Sequence, residues 1–352
     1  MSEHKEGHET KNAPLVMSDP ILYSVMAGDE AQGDKKKFAR YLHEPRKTGA
    51  INLHDVSVEA ISPMHPDFDK VYALLYKEFG EKGEIETKEV LETRSKWDAL
   101  HPENGKPPLE YRIVILKHPY RTLGDNRQSE DQEKEPVYGI DGQEIVGVRD
   151  HNLIYKEGMI IAHMSHSYLI ENARGKGLDT VLRAIPVVDA KAFAEKLGHP
   201  DASIILYTEQ EPVPTLDEIQ ESAYKYYQDG SEAEIDDINM RFRRLAAYQG
   251  GSFLKIGIQG LAAQPDFSTP EQITAKGGPT MVGLNGIWRF VGHENTTKTT
   301  GRIVRIAVSA VYDMYEASGL DKRSIALARD LLNNYPPDEA EIPLLRPIDP
   351  IP

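Results

Sequence analysis

The segment from Met159 to Leu197 constrains the fold more than any other part of the chain. A β-rich run, Met159 to Glu171, leads directly into the small, glycine-punctuated stretch Asn172-Ala173-Arg174-Gly175-Lys176-Gly177. An apolar stripe at helical spacing follows: Leu178, Val181, Leu182, Ile185, Val188, Phe193 and Leu197. A strand, a tight glycine turn and a helix follow one another directly, and the β-rich Ser203 to Thr208 reads as the next strand. An α/β protein is expected. Pro186 lies inside the helical stripe and removes one ladder hydrogen bond, so the sequence predicts a kink or a split there.

The rest of the chain divides by pattern. Residues 1–50 mix His, Lys, Glu, Gly and Pro with short apolar islands, which predicts a partly disordered N-terminal extension. Ile51, Leu53, Val56, Val58 and Ile61 read as a strand ending at Ser62-Pro63; Phe68, Val71, Leu74, Leu75 and Phe79 share one helical face, and Glu84 to Leu100 is expected as a second helix. Tyr111 to Leu116 and Glu144 to Tyr155 are predicted strands, separated by the polar surface insertion Gly124 to Pro136. After Thr208 come predicted helices at Leu216 to Gln228 and Ile235 to Tyr248, closed by Gly250-Gly251, and a strand at Phe253 to Ile258. The remainder, 261–352, is expected as a C-terminal extension with turns, a strand near Ile287 to Val291, helices at Arg302 to Ala317 and Lys322 to Asn333, and a Pro-rich tail. The apolar stripe Ile303, Ile306, Val308, Val311 and Tyr315 is expected to serve as core or as a contact between two copies of the chain.

Composition excludes whole classes of chemistry. The 352 residues contain no cysteine, so disulfides, thiolate nucleophiles and cysteine-held metal are ruled out. A net charge of −15 disfavours nucleic acid and anionic lipid as partners. No stretch approaches the ~20 uninterrupted apolar residues of a membrane helix. The first twenty residues carry Glu3, Glu6 and Glu9 but no apolar export block, which predicts a cytoplasmic protein.

The turn between strand and helix carries the chemistry. Glycines at 175 and 177 let the backbone approach an anion closely, the helix starting near Leu178 offers its positive end, and Arg174 and Lys176 add charge at the rim. Two phosphate loops are excluded by the letters. The dinucleotide fingerprint needs a third small residue where Thr180 stands, and a P-loop needs Ser or Thr where Gly177 stands.

The order strand, two helices, three strands, glycine loop, helix, strand, helix, strand resembles the GNAT superfamily of acyl-CoA-dependent N-acetyltransferases. That family's pyrophosphate loop reads Gln or Arg, any, any, Gly, any, Gly or Ala. Residues 172–178 match both glycine positions and the following Leu, with Asn172 where the family has Gln or Arg. The resemblance covers about Ile51 to Gly260, and Arg244 to Gly251 is similar to the family's helix ending in Tyr, a short turn and Gly. It implies a mixed, strongly twisted sheet flanked by helices, splayed between the Met159 to Glu171 and Ser203 to Thr208 strands. It further implies acetyl-CoA as co-substrate, bound by Asn172, Ala173, Arg174, Gly175, Lys176, Gly177 and Leu178, and a small-molecule or peptide amine as acceptor.

Acetyl transfer to an amine needs the thioester held, the amine neutral and the leaving thiolate protonated. A splayed or bulged edge of the long strand would offer N–H groups to the thioester arm. The base is expected to be Glu209, which follows the next strand, or His163, which strict alternation puts with Ser165 and Ser167 on the more polar face. Alternation puts His166 on the opposite face, so the two histidines are not expected to share a metal, and the family reading requires none. Tyr248, before Gly250, is the expected donor to the thiolate, with Tyr227 in reserve. The rival reading is a non-catalytic acyl-CoA-binding or protein-interaction module on the same fold.

Overall fold

The computed structural model describes residues 15–16, 56–80, 84–103, 105–118, 136–174, 178–210, 221, 252–254, 261–293, 296–333 and 336–345. It is a mixed α/β structure built on a sheet flanked by helices. In chain order the strands are β1 Leu15–Val16, β2 Ser57–Ile61, β3 Leu109–His118, β4 Glu144–Lys156, β5 Met159–Leu169, β6 Ser203–Gln210, β7 Ser252–Leu254, β8 Leu261–Gln264, β9 Val282–Phe290, β10 Lys298–Thr300 and β11 Glu341–Leu345. The helices are α1 Phe68–Phe79, α2 Lys88–Arg94, α3 Leu178–Lys196, α4 Pro270–Ala275, α5 Gly301–Ala317 and α6 Lys322–Leu332. The strand order is β1-β2-β3-β4-β5-β6-β9-β7-β11-β10, with β8 also on β9. Among the paired strands only β5 and β6 are parallel, and α3 makes the crossover that such a pair requires.

The two faces of the sheet bury different helices. On one face Val114, Leu116, Leu153, Ile160, Ala162 and Met164 pack under Leu178, Val181, Leu182, Ile185 and Phe193 of α3. Pro186 neither splits nor ends α3, which runs unbroken for 19 residues. The apolar burial along that helix outweighs the roughly 3 kcal/mol that an interior proline costs. On the other face Tyr111, Ile113 and Ile115 of β3 meet α1 through Phe68, Val71 and Leu75. Alongside them Ile154, Ile161, Ile205 and Tyr207 meet α5 through Val304, Ala307, Val308 and Val311. The stripe read from α5 is thus core within this chain.

Other expectations shift with tertiary context. The helix expected over Glu84 to Leu100 is confined to Lys88–Arg94. Its front is drawn out so that the Glu84 carbonyl meets the His166 ring, and its rear turns where Asp98 accepts the Leu100 amide. The long strand ends at Leu169, and Glu171–Ala173 is a single 3₁₀ turn rather than strand. The helices expected at Leu216 to Gln228 and Ile235 to Tyr248, and the insertion Gly124 to Pro136, lie outside the described residues. Within 261–352, expected as an extension, β9 belongs to the sheet: it pairs antiparallel with β6 from Ile205↔Phe290 to Gln210↔Asn285. Leu15 and Val16, from the N-terminal segment, pair with Val58 and Ser57. No helix among the described residues is long and apolar enough to cross a membrane.

Trp288 on β9 is 1% exposed and lies 4.6 Å, ring to ring, from Tyr207. Trp288→Ala should destabilise the whole fold by about 3–5 kcal/mol in urea unfolding, because the cavity opens in the shared core. A cost below about 1 kcal/mol would mean that 261–352 merely leans on the sheet.

Candidate active site

The site begins with an irregularity in the β4–β5 ladder. His151 pairs with Met164 and Arg149 with Ser167, so Asp150 stands opposite two residues of β5. This bulge breaks the two-residue alternation. Before it, Met159, Ile161 and His163 share the α5 face; after it, Tyr168 lies on that same side with α1. His166 therefore also faces that side, its ring 4.9 Å from Phe79 of α1. The expectation that His163 and His166 point to opposite faces is corrected: the extra residue at the bulge brings them together.

Asp150 holds the bulge. One oxygen accepts the His166 backbone N–H at 2.7 Å and Nδ1 at 3.0 Å; the other accepts the Tyr111 hydroxyl at 3.0 Å. Burial would raise Asp150, but the charge of His166 and these hydrogen bonds outweigh it and bring it down to about 2. Burial would lower His166, but the facing Asp150 carries it up to about 9. His166 is thus an imidazolium at neutral pH, with its other N–H donated to the Glu84 carbonyl at 2.9 Å.

The second part of the site lies where β5 and β6 part. Their parallel register ends at His163↔Tyr207, whereas β5 runs on to Leu169. Just past that point the Thr208 hydroxyl donates to the Met164 carbonyl at 3.0 Å. Glu209 follows immediately, with its side chain only 8% exposed. One carboxylate oxygen accepts the Tyr207 hydroxyl at 3.3 Å; the other accepts the Tyr315 hydroxyl of α5 at 3.4 Å and lies 3.7 Å from His163 Nε2. The two bases expected from the sequence, Glu209 and His163, therefore meet at the fork.

A row of residues crosses the sheet at this level. Tyr111 pairs with Asn152, Asn152 with His163, His163 with Tyr207, and Tyr207 with Trp288. Above it Arg94 of α2 lies 5.8 Å from the Tyr111 ring and 5.9 Å from the Tyr315 ring. Arg94 is fully buried, ion-paired with Glu86, and donates through Nε to the Ser318 hydroxyl at 2.9 Å. Asn152 Oδ1, His163 Nδ1, Trp288 Nε1 and Arg94 Nη1 are buried with no hydrogen-bond partner among the described residues. Leaving such atoms unpaired costs about 1–3 kcal/mol each, which a core built only for packing avoids.

Of the expected cofactor residues, Ala173 is buried and Arg174 is exposed, its Nε donating to the Leu169 carbonyl at 3.1 Å. Asn172 lies in the 3₁₀ turn, and Leu178 is buried as the first residue of α3. Gly175, Lys176 and Gly177, like Tyr227 and Tyr248, fall outside the described residues. No group of three or more metal-ligating side chains occurs among the described residues. Sequence reasoning missed Tyr207, Tyr315, Arg94 and the Asp150–His166 pair. Tyr207 had a readable signal, since i and i+2 on a strand share a face.

Compared with protein-family models the chain matches none. Compared with curated proteins, it matches none closely enough to carry an argument.

The Asp150–His166 pair gives a pH signature. His166, raised from 6.5 to about 9, contributes stability in full below pH 6.5 and loses it as pH climbs to about 9. Asp150, lowered from 3.8 to about 2, contributes above pH 3.8 and loses as pH falls to about 2. The pair's contribution is therefore greatest between those limits. Asp150→Asn should cost about 3–5 kcal/mol at pH 6 by leaving a buried imidazolium unpaired or forcing it neutral. It should also flatten the decline in stability between pH 6.5 and 9; equal decline in both proteins would refute the pairing.

Proposed function

We propose that the chain is an acetyl-CoA-dependent N-acetyltransferase of the GNAT kind, moving an acetyl group to a primary amine by direct attack on the thioester. The observation that carries this reading is the fork: a parallel strand pair that parts after His163 and Tyr207, with a buried carboxylate and a histidine at the parting point. Support also comes from the succession of strand, 3₁₀ turn and helix at the loop 172–178, where the family's pyrophosphate contacts fall.

The residues divide the work as follows. The amine binds as a cation against Glu209, whose oxygens are oriented by Tyr207 and Tyr315. Glu209 takes one proton, and His163, 3.7 Å away, can pass it on. The nitrogen lone pair then forms the C–N bond and the C–S bond breaks; the thiolate takes a proton from a tyrosine, for which Tyr248 remains the choice, and the second proton shed by the acylated nitrogen restores that tyrosine. Beyond its last pair with β6, the β5 backbone supplies amides along which the thioester arm adds like an extra strand.

The test is release of free CoA from acetyl-CoA with a panel of primary amines, alongside calorimetry with CoA. Glu209→Gln should lower kcat/KM for the amine by roughly 10²- to 10⁴-fold while leaving CoA affinity nearly unchanged. A wild-type chain that gives neither heat with millimolar CoA nor CoA release with any amine would overturn the reading.

A further inference from the structure

Glu209 is held from two sides by elements far apart in the chain. Tyr207 precedes it by two residues on β6, whereas Tyr315 is 106 residues away on α5. The Tyr315 ring is packed on several sides: edge-on to His163 at 5.9 Å, tilted on Phe267 at 5.5 Å, and under the Arg94 guanidinium at 5.9 Å. Arg94 in turn bonds Ser318, one turn further along α5. We infer that Tyr315 is a positioning residue that clamps the second oxygen of Glu209, so that α5 of the C-terminal segment completes the site and α2 fixes α5 through the Arg94–Ser318 contact.

The chemistry suits that role. Burial, and then the negative Glu209 beside it, push the Tyr315 hydroxyl well above the usual phenol range, so it is a donor at neutral pH. Among the described residues, the groups facing Glu209 are His163 from β5, Tyr207 from its own strand and Tyr315 from α5. Behind Tyr315 lie Arg94 and Glu86, which neutralise each other; on the β9 side Glu209 pairs with Gly286, which brings no charge. A Cβ on Gly286 would come within 2.7 Å of the Tyr207 ring, so this position keeps the first arm of the clamp in place as well.

The inference rests on the acetyltransferase reading for its kinetic arm alone. Tyr315→Phe in the full chain keeps the ring and removes the donor. The value of kcat/KM for the amine should fall by roughly 3- to 10-fold, the equivalent of one ordinary hydrogen bond to a carboxylate. Affinity for CoA and the unfolding midpoint should change little. A merely structural tyrosine would leave kcat/KM for the amine where it is, and an unchanged kcat/KM would overturn the proposal. The second arm needs no turnover: with ¹³C-labelled tyrosine, the Tyr315 ring signal should sit at different positions in the wild type and in Glu209→Gln, because the hydroxyl donates to that carboxylate. A Tyr315 signal indifferent to Glu209→Gln would overturn the clamp even if Tyr315→Phe failed to fold. Absence of acetyl transfer with a coupled Tyr315 signal would overturn the proposed activity and leave the clamp standing.

Discussion

The extra residue in β5 opposite Asp150 is the constraint on which the site depends. A regular strand would point His163 and His166 to opposite faces, one toward α3 and one toward α1 and α5. The bulge turns both to the second face, and a bulge leaves a backbone amide without its ladder partner. Here the Asp150 carboxylate takes that role, accepting the His166 amide. The same carboxylate accepts Tyr111 of β3, and the His166 ring reaches the segment ahead of α2. One buried acid thus joins a strand irregularity to the two elements that bring Arg94 over the sheet.

Burying this many charges is expensive. Arg94 with Glu86, and Asp150 with His166, each gain mutual attraction, but apolar residues of the same shape often do as well or better for stability. Within the row across the sheet, Asn152 and His163 stand between Tyr111, which belongs to the apolar cluster under α1, and Tyr207 and Trp288, which belong to the cluster under α5. On the opposite face α3 closes the sheet with a largely apolar layer, crossed by the contact between buried His151 and Asp189 of α3 at 3.0 Å. A stable half of the molecule carries a polar half, and the polar half is where the β5–β6 pairing stops.

Much of the fold was legible. Helices α1, α5 and α6 and strands β3, β4 and β6 follow from spacing, because each carries its buried residues as a stripe or a run in the sequence. The small helix α4 was missed although Thr269, Pro270 and Gln272 spell a capping box, which the structure contains. Pro186 does not split α3: local propensity says nothing of the burial on either side of it. For the site, Glu209 and His163 were readable as types at strand ends, but not as neighbours. Their meeting depends on the β5–β6 register, the reach of His166 on the bulge, and the hydroxyl of Tyr315 on docking of a helix over a hundred residues away. None of these long-range pairings leaves a periodic trace.

The central claim is that the opening between β5 and β6 receives the thioester arm. Hydrogen–deuterium exchange of the full chain, with and without saturating CoA, reads it most directly. The account predicts slowed exchange in peptides covering 164–178, the part of β5 beyond its last pair with β6 and the turn into α3, with β2 and β3 unchanged. Slowed exchange confined to other strands, or none in 164–178 when calorimetry reports bound CoA, would contradict it.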